Sequence, residues 1–231
     1  PKLMQFGIDN SAWKIGDKFM GIKLIPKGSH YIYYSLEDED YAIKQSFFIY
    51  VSESSLIHVR KWDNDLQDFI ALKEEDQENF KIGCNNLDFD AFMGNYPLEQ
   101  YNNWNDISRY IDNKILDRLE PICRKHITSS KEYDSESTNI KADIFYTDLP
   151  KRKLTTKNKE GIKSKPEDLT KRNMDKSEDV ENLIEREYEN NPDTLMGEFQ
   201  YSFITFLYGE VYESFEQWKQ LLVLKIGRAH V

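Results

Sequence analysis

The chain has 231 residues, of which 39% are hydrophobic and 13% aromatic, so it can bury a core without disulfides and is not disordered throughout. Its net charge of -10 argues against a general nucleic-acid binder, because phosphate contacts require clustered Lys and Arg. The length favours two domains. We expect no direct sequence-specific binding of nucleic acid.

The cysteine usage and the hydropathy indicate the compartment. Cys84 and Cys123 form no Cys-x-x-Cys pair, which fits a reducing environment. No apolar run approaches the roughly 18 residues of a membrane-spanning helix. The sequence therefore predicts a soluble intracellular protein with no membrane partner.

The first notable stretch is FGIDNSAW, residues 6–13, with Asp-Asn-Ser at its centre. These residues are common in turns, because their side chains bond to nearby backbone amides. An Asp beside a hydroxyl also occurs in the active sites of hydrolases. Two interpretations follow: a turn leading into the first hairpin, or a catalytic turn that uses Asp9.

Strand-like runs rich in Ile, Val, Tyr and Phe follow from Gly21 to Trp62: GIKLIP, HYIYYS, QSFFIYV and LIHVRKW. Their close spacing predicts antiparallel hairpins. Alternation in the last run, with Ile57 and Val59 against polar neighbours, predicts a sheet with one buried and one wet face. Tyr31, Tyr33 and Tyr34 have large rings with a polar tip, which suit an interaction surface as well as a core. They are candidates for both roles.

Weaker patterns follow the strands. DNDLQDFIAL favours a short helix, and EEDQENFKIG an acidic turn. Residues 97–120 carry a helical stripe that starts at a proline, typical of an amphipathic helix; its members are Trp104, Ile107, Ile111, Ile115 and Leu119. IKADIFYTDLP reads as one more strand, so an N-terminal β domain would span 1–150.

A basic linker is expected over 151–174, since Lys151 to Lys176 holds ten Lys and Arg against four Asp and Glu. Residues 175–225 then begin a helical domain. Asp175 and Glu178 resemble a capping box, and Asn191 with Pro192 predicts a second helix start. Around Gly209 we expect a helical hairpin.

Two expectations concern the end of the chain. Gly227 should break the last helix, and IGRAHV, residues 226–231, is what one reading frame of a common sequencing adapter encodes, so we expect it to be foreign. We also expect truncation to expose an apolar stripe of the last helix, formed by Val211, Phe215, Trp218 and Leu222.

The sequence contains few patterns that are typical of catalytic or metal-binding sites. Gly-x-Gly-x-x-Gly, Walker and Gly-x-Ser-x-Gly motifs do not occur. The acidic groups lack the central Gly and distal Glu of a calcium loop. The histidines have no partner at metal-ligand spacing: they are His30, His58, His126 and His230. We predict no catalytic, cofactor-binding or metal site, with a hydrolase that uses Asp9 in a β-domain cleft as the alternative.

Long blocks of the sequence resemble one family. FGIDNSAWKIGDKFMGIKLIPKGSHYIYYS closely resembles the N-terminal signature of the cistron-splicing factors, the assembly chaperones of the U5 small nuclear ribonucleoprotein. MGNYPLEQYNNW, IFYTDLP and GEFQYSFITFLYGEVYESFEQWKQLL resemble further family blocks in the same order. The resemblance runs from Phe6 to Leu222, and the family's last helices and tail are not matched after Leu224.

The resemblance implies an α+β architecture: an antiparallel β-sandwich-like domain, a linker and an α-helical domain. It implies no catalysis and no cofactor. Family members bind the RNase H-like and Jab/MPN domains of the large U5 scaffold protein in the cytoplasm and hold off the spliceosomal helicase until the particle enters the nucleus. Because release involves phosphorylation, Ser164 and Ser177 are candidate acceptors.

Overall fold

The computed structural model describes residues 4–36, 44–120, 127–128, 144–149 and 177–228. Strands occupy the first part of this set and helices mostly the last part, which confirms the α+β layout. Within the described ranges, none of the helices has the length and apolar character that crossing a membrane requires.

The main sheet is antiparallel and has five strands in the order β2-β1-β4-β5-β9. Two small sheets, β3-β8 and β6-β7, accompany it. The strands are β1 Met4–Ile8, β2 Ser11–Ile15, β3 Gly21–Lys23, β4 Gly28–Ser35, β5 Gln45–Val51, β6 Arg60–Asp63, β7 Asp68–Ala71, β8 Met93–Asn95 and β9 Ile127–Thr128.

Asp9 and Asn10 form the turn of the first hairpin. Strands β1 and β2 pair with Ile8 opposite Ser11, so these two residues alone connect them. Asp9 has a φ of 55°, a left-handed conformation that Asp tolerates better than most residues. The turn interpretation is therefore confirmed, although the turn lies inside the hairpin rather than ahead of it.

Both faces of the main sheet are buried, so the prediction of one wet face is wrong. Tyr31, Tyr33 and Phe48 pack on one side with residues of three helices. Ile32 and Tyr34, which alternate with the first two, pack on the other side under the small sheets. The prediction rested on residues 57–59, which lie outside any strand.

The segment after Trp62 differs from its prediction. Residues 63–72 form the β6-β7 hairpin instead of a helix, because Asp63 Oδ1 accepts from the amides of Asp65 (2.9 Å) and Leu66 (3.0 Å) and turns the chain. Trp62 and Phe69 then pack edge to face across the strands, with ring centroids 5.1 Å apart.

The acidic segment that follows is helix α1, Glu74–Asn85, and not a turn. Three acidic residues occupy its first turn, where the helix dipole favours negative charge; they are Glu74, Glu75 and Asp76. The prediction treated those charges as evidence for a turn and overlooked this effect.

The helical stripe at 97–120 is divided between two helices. A 3₁₀ turn, Leu98–Gln100, precedes α2, Tyr101–Ser108, and α3 is Asn113–Leu119. Asp112 caps α3, since its Oδ1 accepts from the amide of Ile115 at 2.9 Å. The expected single helix therefore ends early because a new cap competes with its continuation.

Residues 144–149 are not in a strand, in contrast to the prediction for IKADIFYTDLP. The amide of Phe145 donates to the carbonyl of Leu119 at 2.8 Å, so this segment lies beside the end of α3. Residues 140–143 and 150 are outside the described ranges.

The C-terminal part consists of α4 Ser177–Glu187, α5 Pro192–Leu207 and α6 Tyr212–Arg228. Asn191 caps α5 as predicted, with its Oδ1 accepting from the amide of Asp193 at 3.0 Å. The interruption before Tyr212 confirms the hairpin. The expected cap at Asp175 lies outside the described residues.

Two expectations for α6 are wrong. The helix continues through Gly227 to Arg228, so glycine does not end it there. Val211 is 7% exposed because it packs into the core beneath the main sheet. Phe215, Trp218 and Leu222 are half-buried, since they share the surface with aromatic residues of α5.

Candidate functional site

Asp9 is the residue on which the catalytic alternative depends, and it is buried, with 2% of its surface exposed. The hairpin turn directs its side chain towards β4. There Asp9 Oδ1 accepts from the amide of Tyr31 at 2.9 Å, while Oδ2 accepts from the hydroxyl of Tyr96 at 2.7 Å. Oδ2 also lies 2.6 Å from Nδ1 of His30.

His30 is buried as completely as Asp9, and both of its ring nitrogens are used. Nε2 lies 2.9 Å from the carbonyl oxygen of Pro26. A carbonyl oxygen only accepts, so Nε2 carries a hydrogen and donates it. The ring therefore presents no free nitrogen to a nucleophile, because Nδ1 is hydrogen-bonded to Asp9.

Burial raises the pKa of Asp9, although hydrogen bonds from His30, Tyr96 and the Tyr31 amide act in the opposite direction. A raised carboxyl pKa also occurs in general acids. Here the partners are a histidine, a tyrosine and a backbone amide, none of which is a second carboxylate. The Asp9 cluster holds the first hairpin against β4 and against Tyr96, which follows β8. It does not meet the geometry required of the hydrolase alternative.

A second buried polar cluster joins the N-terminal helices to the C-terminal hairpin. Glu198 of α5 is fully buried, and its carboxylate accepts from Thr147 through both the amide (2.9 Å) and the hydroxyl (2.7 Å). Gln217 of α6 donates to the same carboxylate at 2.8 Å. Arg118 of α3 lies 3.6 Å from it. Glu198 thus fixes residues 144–149 between three helices.

Further hydrogen bonds connect the helical hairpin to the N-terminal part of the chain. Tyr208, just after α5, donates to Asn10 of the first turn at 2.8 Å. Tyr201 donates to Glu120 at 2.5 Å. Gln200 accepts from the amide of Tyr110 at 2.8 Å and donates to the carbonyl of Asp106 at 3.1 Å. The two parts of the chain therefore share one buried interface.

The sequence did not predict this interface. Glu198 and Glu120 are acidic residues on helices, and in one dimension such residues usually indicate a solvated face. The IFYTDLP block was predicted as a strand, so Thr147 had no assigned role. Pairing between residues 51 positions apart leaves no local signal.

Of the predicted site residues, Ser164 lies outside the described ranges. Ser177 is the first residue of α4, and its side chain is not described. Tyr31, Tyr33 and Tyr34 are buried, so they serve the core and not an exposed interaction surface. Among the described residues, no group of three His, Cys, Asp or Glu side chains could hold a metal ion.

A partly exposed aromatic surface lies instead on the outer side of the helical hairpin, where half-buried rings of α5 and α6 meet. Phe206 of α5 lies 4.7 Å from Phe215 of α6, and Phe203 lies 5.5 Å from Trp218, measured between ring centroids. Leu207 and Tyr212 beside them are 46% and 70% exposed. Trp13 forms a separate exposed aromatic on β2. Surfaces of this composition are typical of protein interfaces.

Comparison with protein families gives matches to both parts of the chain. Residues 1–121 match the AAR2 N-terminal domain, and residues 146–227 match the AAR2 C-terminal repeat region. The first match alone covers more than half of the chain, and both include residues of the Glu198 cluster or the Asp9 cluster.

Individual relatives agree with these matches. The mouse protein named Protein AAR2 homolog is 28% identical over 262 residues, and the human protein of that name is 28% identical over 255 residues. Each alignment covers 97% of this chain and 66% of the relative. A Caenorhabditis elegans homologue is 28% identical over 254 residues, with 69% of its length covered. The chain therefore belongs to the AAR2 family, which confirms the family resemblance of its sequence blocks.

Proposed function

We propose that the chain acts in pre-mRNA splicing as a non-enzymatic assembly factor of the U5 small nuclear ribonucleoprotein. In this role it binds the large U5 scaffold protein, through the scaffold's RNase H-like and Jab/MPN domains, and holds off the spliceosomal helicase during assembly. It acts in the cytoplasm and is released in the nucleus.

The observation that carries this proposal is the match of both chain segments to one family, in sequence order. The Asp9 cluster supports the non-enzymatic part, because its carboxylate and its histidine are buried and hydrogen-bonded within the fold. The partly exposed aromatic surface of α5 and α6, with the exposed Leu207 and Tyr212 beside it, supports the binding part. The chain spans 66% of the length of its mouse and human relatives. Each binding experiment is therefore made both with this chain and with a full-length family member.

The direct test mixes this chain with the purified RNase H-like and Jab/MPN domains of the scaffold protein. Size-exclusion chromatography with light scattering should give a one-to-one complex with at least one of the two domains. An unrelated acidic protein of similar net charge serves as the control for non-specific attraction. Failure of this chain and of a full-length family member to bind either domain would overturn the proposal.

We further propose that phosphorylation in or beside the basic segment regulates release, with Ser164 and Ser177 as acceptors. Each phosphate adds about -1.5 to -2 charges. At Ser177 this charge would stand at the N-terminus of α4, where the helix dipole favours it. Ser164→Glu and Ser177→Glu should weaken scaffold binding relative to Ser164→Ala and Ser177→Ala. Equal affinities of all four variants for the scaffold would indicate that the basic segment is a spacer without a role in regulation.

A further inference from the structure

A stretch of strand-type sequence, LIHV at residues 56–59, has no strand partner among the described residues. Its composition favours a strand, and the chain makes no turn or bend there, yet β6 begins only at Arg60. In the β6-β7 hairpin Arg60 is the first paired residue, opposite Ala71. After Ala71 the chain turns into α1, which begins at Glu74, so β7 is too short to pair with residues 56–59.

Residues 56–59 line one side of a cavity of about 660 Å³ on the second face of the main sheet. Phe47 and Ile49 of β5 line the cavity from the sheet, and Trp62 and Phe69 line it from the β6-β7 hairpin. Protein interiors leave few spaces larger than one water molecule. A space of this size beside an unpaired segment therefore offers room for the side chains of a further strand.

Large hydrophobic side chains at this cavity remain exposed to solvent. Five of the residues that line it are between 37% and 69% exposed: Met20, Leu24, Leu56, Phe80 and Leu87. Single exposed leucines are normal on a protein surface, but exposed apolar residues gathered around one cavity are typical of an interaction site. Helix α1, which carries Phe80, buries only Gly83, so this wall of the cavity has much surface to offer a partner.

The charges that line the cavity are compensated. Lys23 pairs with Asp90 at 2.6 Å. Arg60 lies with its guanidinium 4.3 Å from the centroid of the Phe47 ring and interacts electrostatically with Asp68. A charge brought into the cavity would leave water without gaining a partner, which is costly. The buried part of an occupant should therefore be apolar and uncharged.

The surroundings of the cavity, in contrast, are acidic. Residues 60–93, from β6 through α1 to the start of β8, contain nine Asp and Glu against four Lys and Arg. Three of the acidic residues stand in the first turn of α1, shortly after the point where β7 stops pairing: Glu74, Glu75 and Asp76. Complementary charge at the rim of an interface favours the correct partner and fixes its register. The exposed residues of an occupant should therefore include Lys or Arg.

We propose that residues 56–59 are a docking site for an extended segment of a partner protein, in which apolar residues alternate with basic ones. The segment adds a strand beside residues 56–59, places its apolar side chains in the cavity and its Lys or Arg beside the acidic surroundings. In this kind of recognition main-chain hydrogen bonds supply affinity, and pockets for alternate side chains supply specificity. The site does not include the aromatic surface of α5 and α6, so its test is independent of the assembly role.

The test titrates this chain into a short fluorescein-labelled peptide in which valine alternates with lysine, and follows fluorescence anisotropy. The lysine peptide should bind saturably. Its counterpart with glutamate in place of lysine should bind about tenfold more weakly, because its charges match those around the cavity. Absence of saturable binding by the lysine peptide, or equal affinities of the two peptides, would overturn the proposal.

N-methylated versions of the lysine peptide test the pairing of main chains. In a strand, the amides of successive residues point to opposite edges, so only one alternate set can donate to residues 56–59. Methylation of that set should abolish binding, whereas methylation of the other set should leave the affinity unchanged. Equal affinities of the two methylated peptides would contradict the addition of a strand.

Matched variants of the chain test the place of binding. Leu56→Ser removes an apolar side chain at the cavity and should weaken the lysine peptide about fivefold. Leu98→Ser, at a similarly exposed leucine outside the lining, should leave the affinity unchanged. Thermal melts verify that both variants are folded. Equal effects of the two substitutions would place the peptide elsewhere and refute the site.

Two further measurements test other occupants of the same surface. Light scattering of the chain alone detects self-association, and a dimer that Leu56→Ser dissociates would assign the surface to a second copy. Replacement of the lysines in residues 151–176 by glutamine tests the basic segment of this chain. Unchanged affinity for the lysine peptide supports a separate partner, whereas a higher affinity would assign the surface to the basic segment and overturn the proposal.

Discussion

Buried carboxylates at two places hold this fold together through their hydrogen bonds. Asp9 connects the first turn to β4 and to Tyr96, while Glu198 connects residues 144–149 to α5 and α6. An isolated buried charge is costly, so both groups are surrounded by donors. At this scale the sequence predicted the turn at Asp9 from its turn-forming residues, but it gave no indication that His30, 21 positions away, would be its partner.

Replacing Asp9 should therefore lower stability. Asp9→Asn keeps the size of the side chain but replaces one accepting oxygen by a donating amide group, so a hydrogen bond from His30, Tyr31 or Tyr96 is lost and the free energy of unfolding should fall by roughly 1–3 kcal/mol. Urea unfolding measures this, with Asp106→Asn at an exposed position as the control. Equal stability of the two variants would show that the Asp9 cluster contributes little.

Glu198→Gln tests the second cluster. The new amide nitrogen is a donor facing other donors, so one of the bonds from Thr147 or Gln217 is lost, at a cost of roughly 1–3 kcal/mol. Hydrogen exchange should accelerate at residues 144–149 and in α5. Glu185→Gln, an exposed glutamate of α4, should leave both unchanged. Unaltered protection of residues 144–149 in Glu198→Gln would contradict the role of this carboxylate.

Elements whose residues have strong intrinsic preferences followed the sequence closely. Strands β4 and β5 are dominated by Tyr, Phe and Ile, and the start of α5 has Asn and Pro in their preferred cap positions. Elements whose structure depends on competing local hydrogen bonds did not form as the sequence predicted. The Asp63 carboxylate accepts from two amides and makes a hairpin where the sequence predicted a short helix. The side-chain cap at Asp112 likewise divides a continuous stripe into two helices.

The turn between α5 and α6 packs directly on the sheet, and this makes Gly209 sensitive to substitution. A Cβ there would lie 2.7 Å from the carbonyl oxygen of Thr205 and would also meet the hydroxyl of Tyr31. Gly209→Ala should destabilise by about 1–3 kcal/mol. Gly16→Ala, where a Cβ has no neighbour within 4 Å, is the matched control. If both substitutions have the same effect in urea unfolding, the hairpin does not dock as closely as described.

At the scale of the whole molecule, helices from the C-terminal part cover one face of an N-terminal sheet. Tyr201 and Ile204 of α5 belong to the same core as Tyr31 and Phe48. Sequence patterns indicated each part separately, because strand and helix periodicities are local. They could not indicate that the two parts share a core, since contacts between residues more than 150 positions apart leave no periodic trace.

The cores on the two faces of the main sheet contain many buried tyrosines, and these should make the protein sensitive to alkali. Burial raises the pKa of Tyr33 to about 12 and raises the pKa values of Tyr31, Tyr34 and Tyr201 as well. An unfolded tyrosine loses its proton near pH 10, whereas the folded protein keeps it. The unfolded state thus binds fewer protons above that pH, so stability is fully present below about pH 10 and falls as the pH rises further.

Absorbance of tyrosinate and near-ultraviolet circular dichroism, followed together through an alkaline titration, check this expectation. The buried tyrosines should ionise in one cooperative step that coincides with loss of the tertiary signal. Gradual ionisation of all 14 tyrosines with the tertiary signal intact would contradict the buried placement.

The most direct test of the proposed assembly role is a competition on the U5 scaffold protein. A purified complex of the scaffold's RNase H-like and Jab/MPN domains with the spliceosomal helicase is titrated with this chain and, in parallel, with a full-length family member. We predict that helicase bound to the scaffold falls as either family protein is added, without hydrolysis or modification of any component. Stable co-binding of the helicase and the full-length family member on the same scaffold would contradict the account.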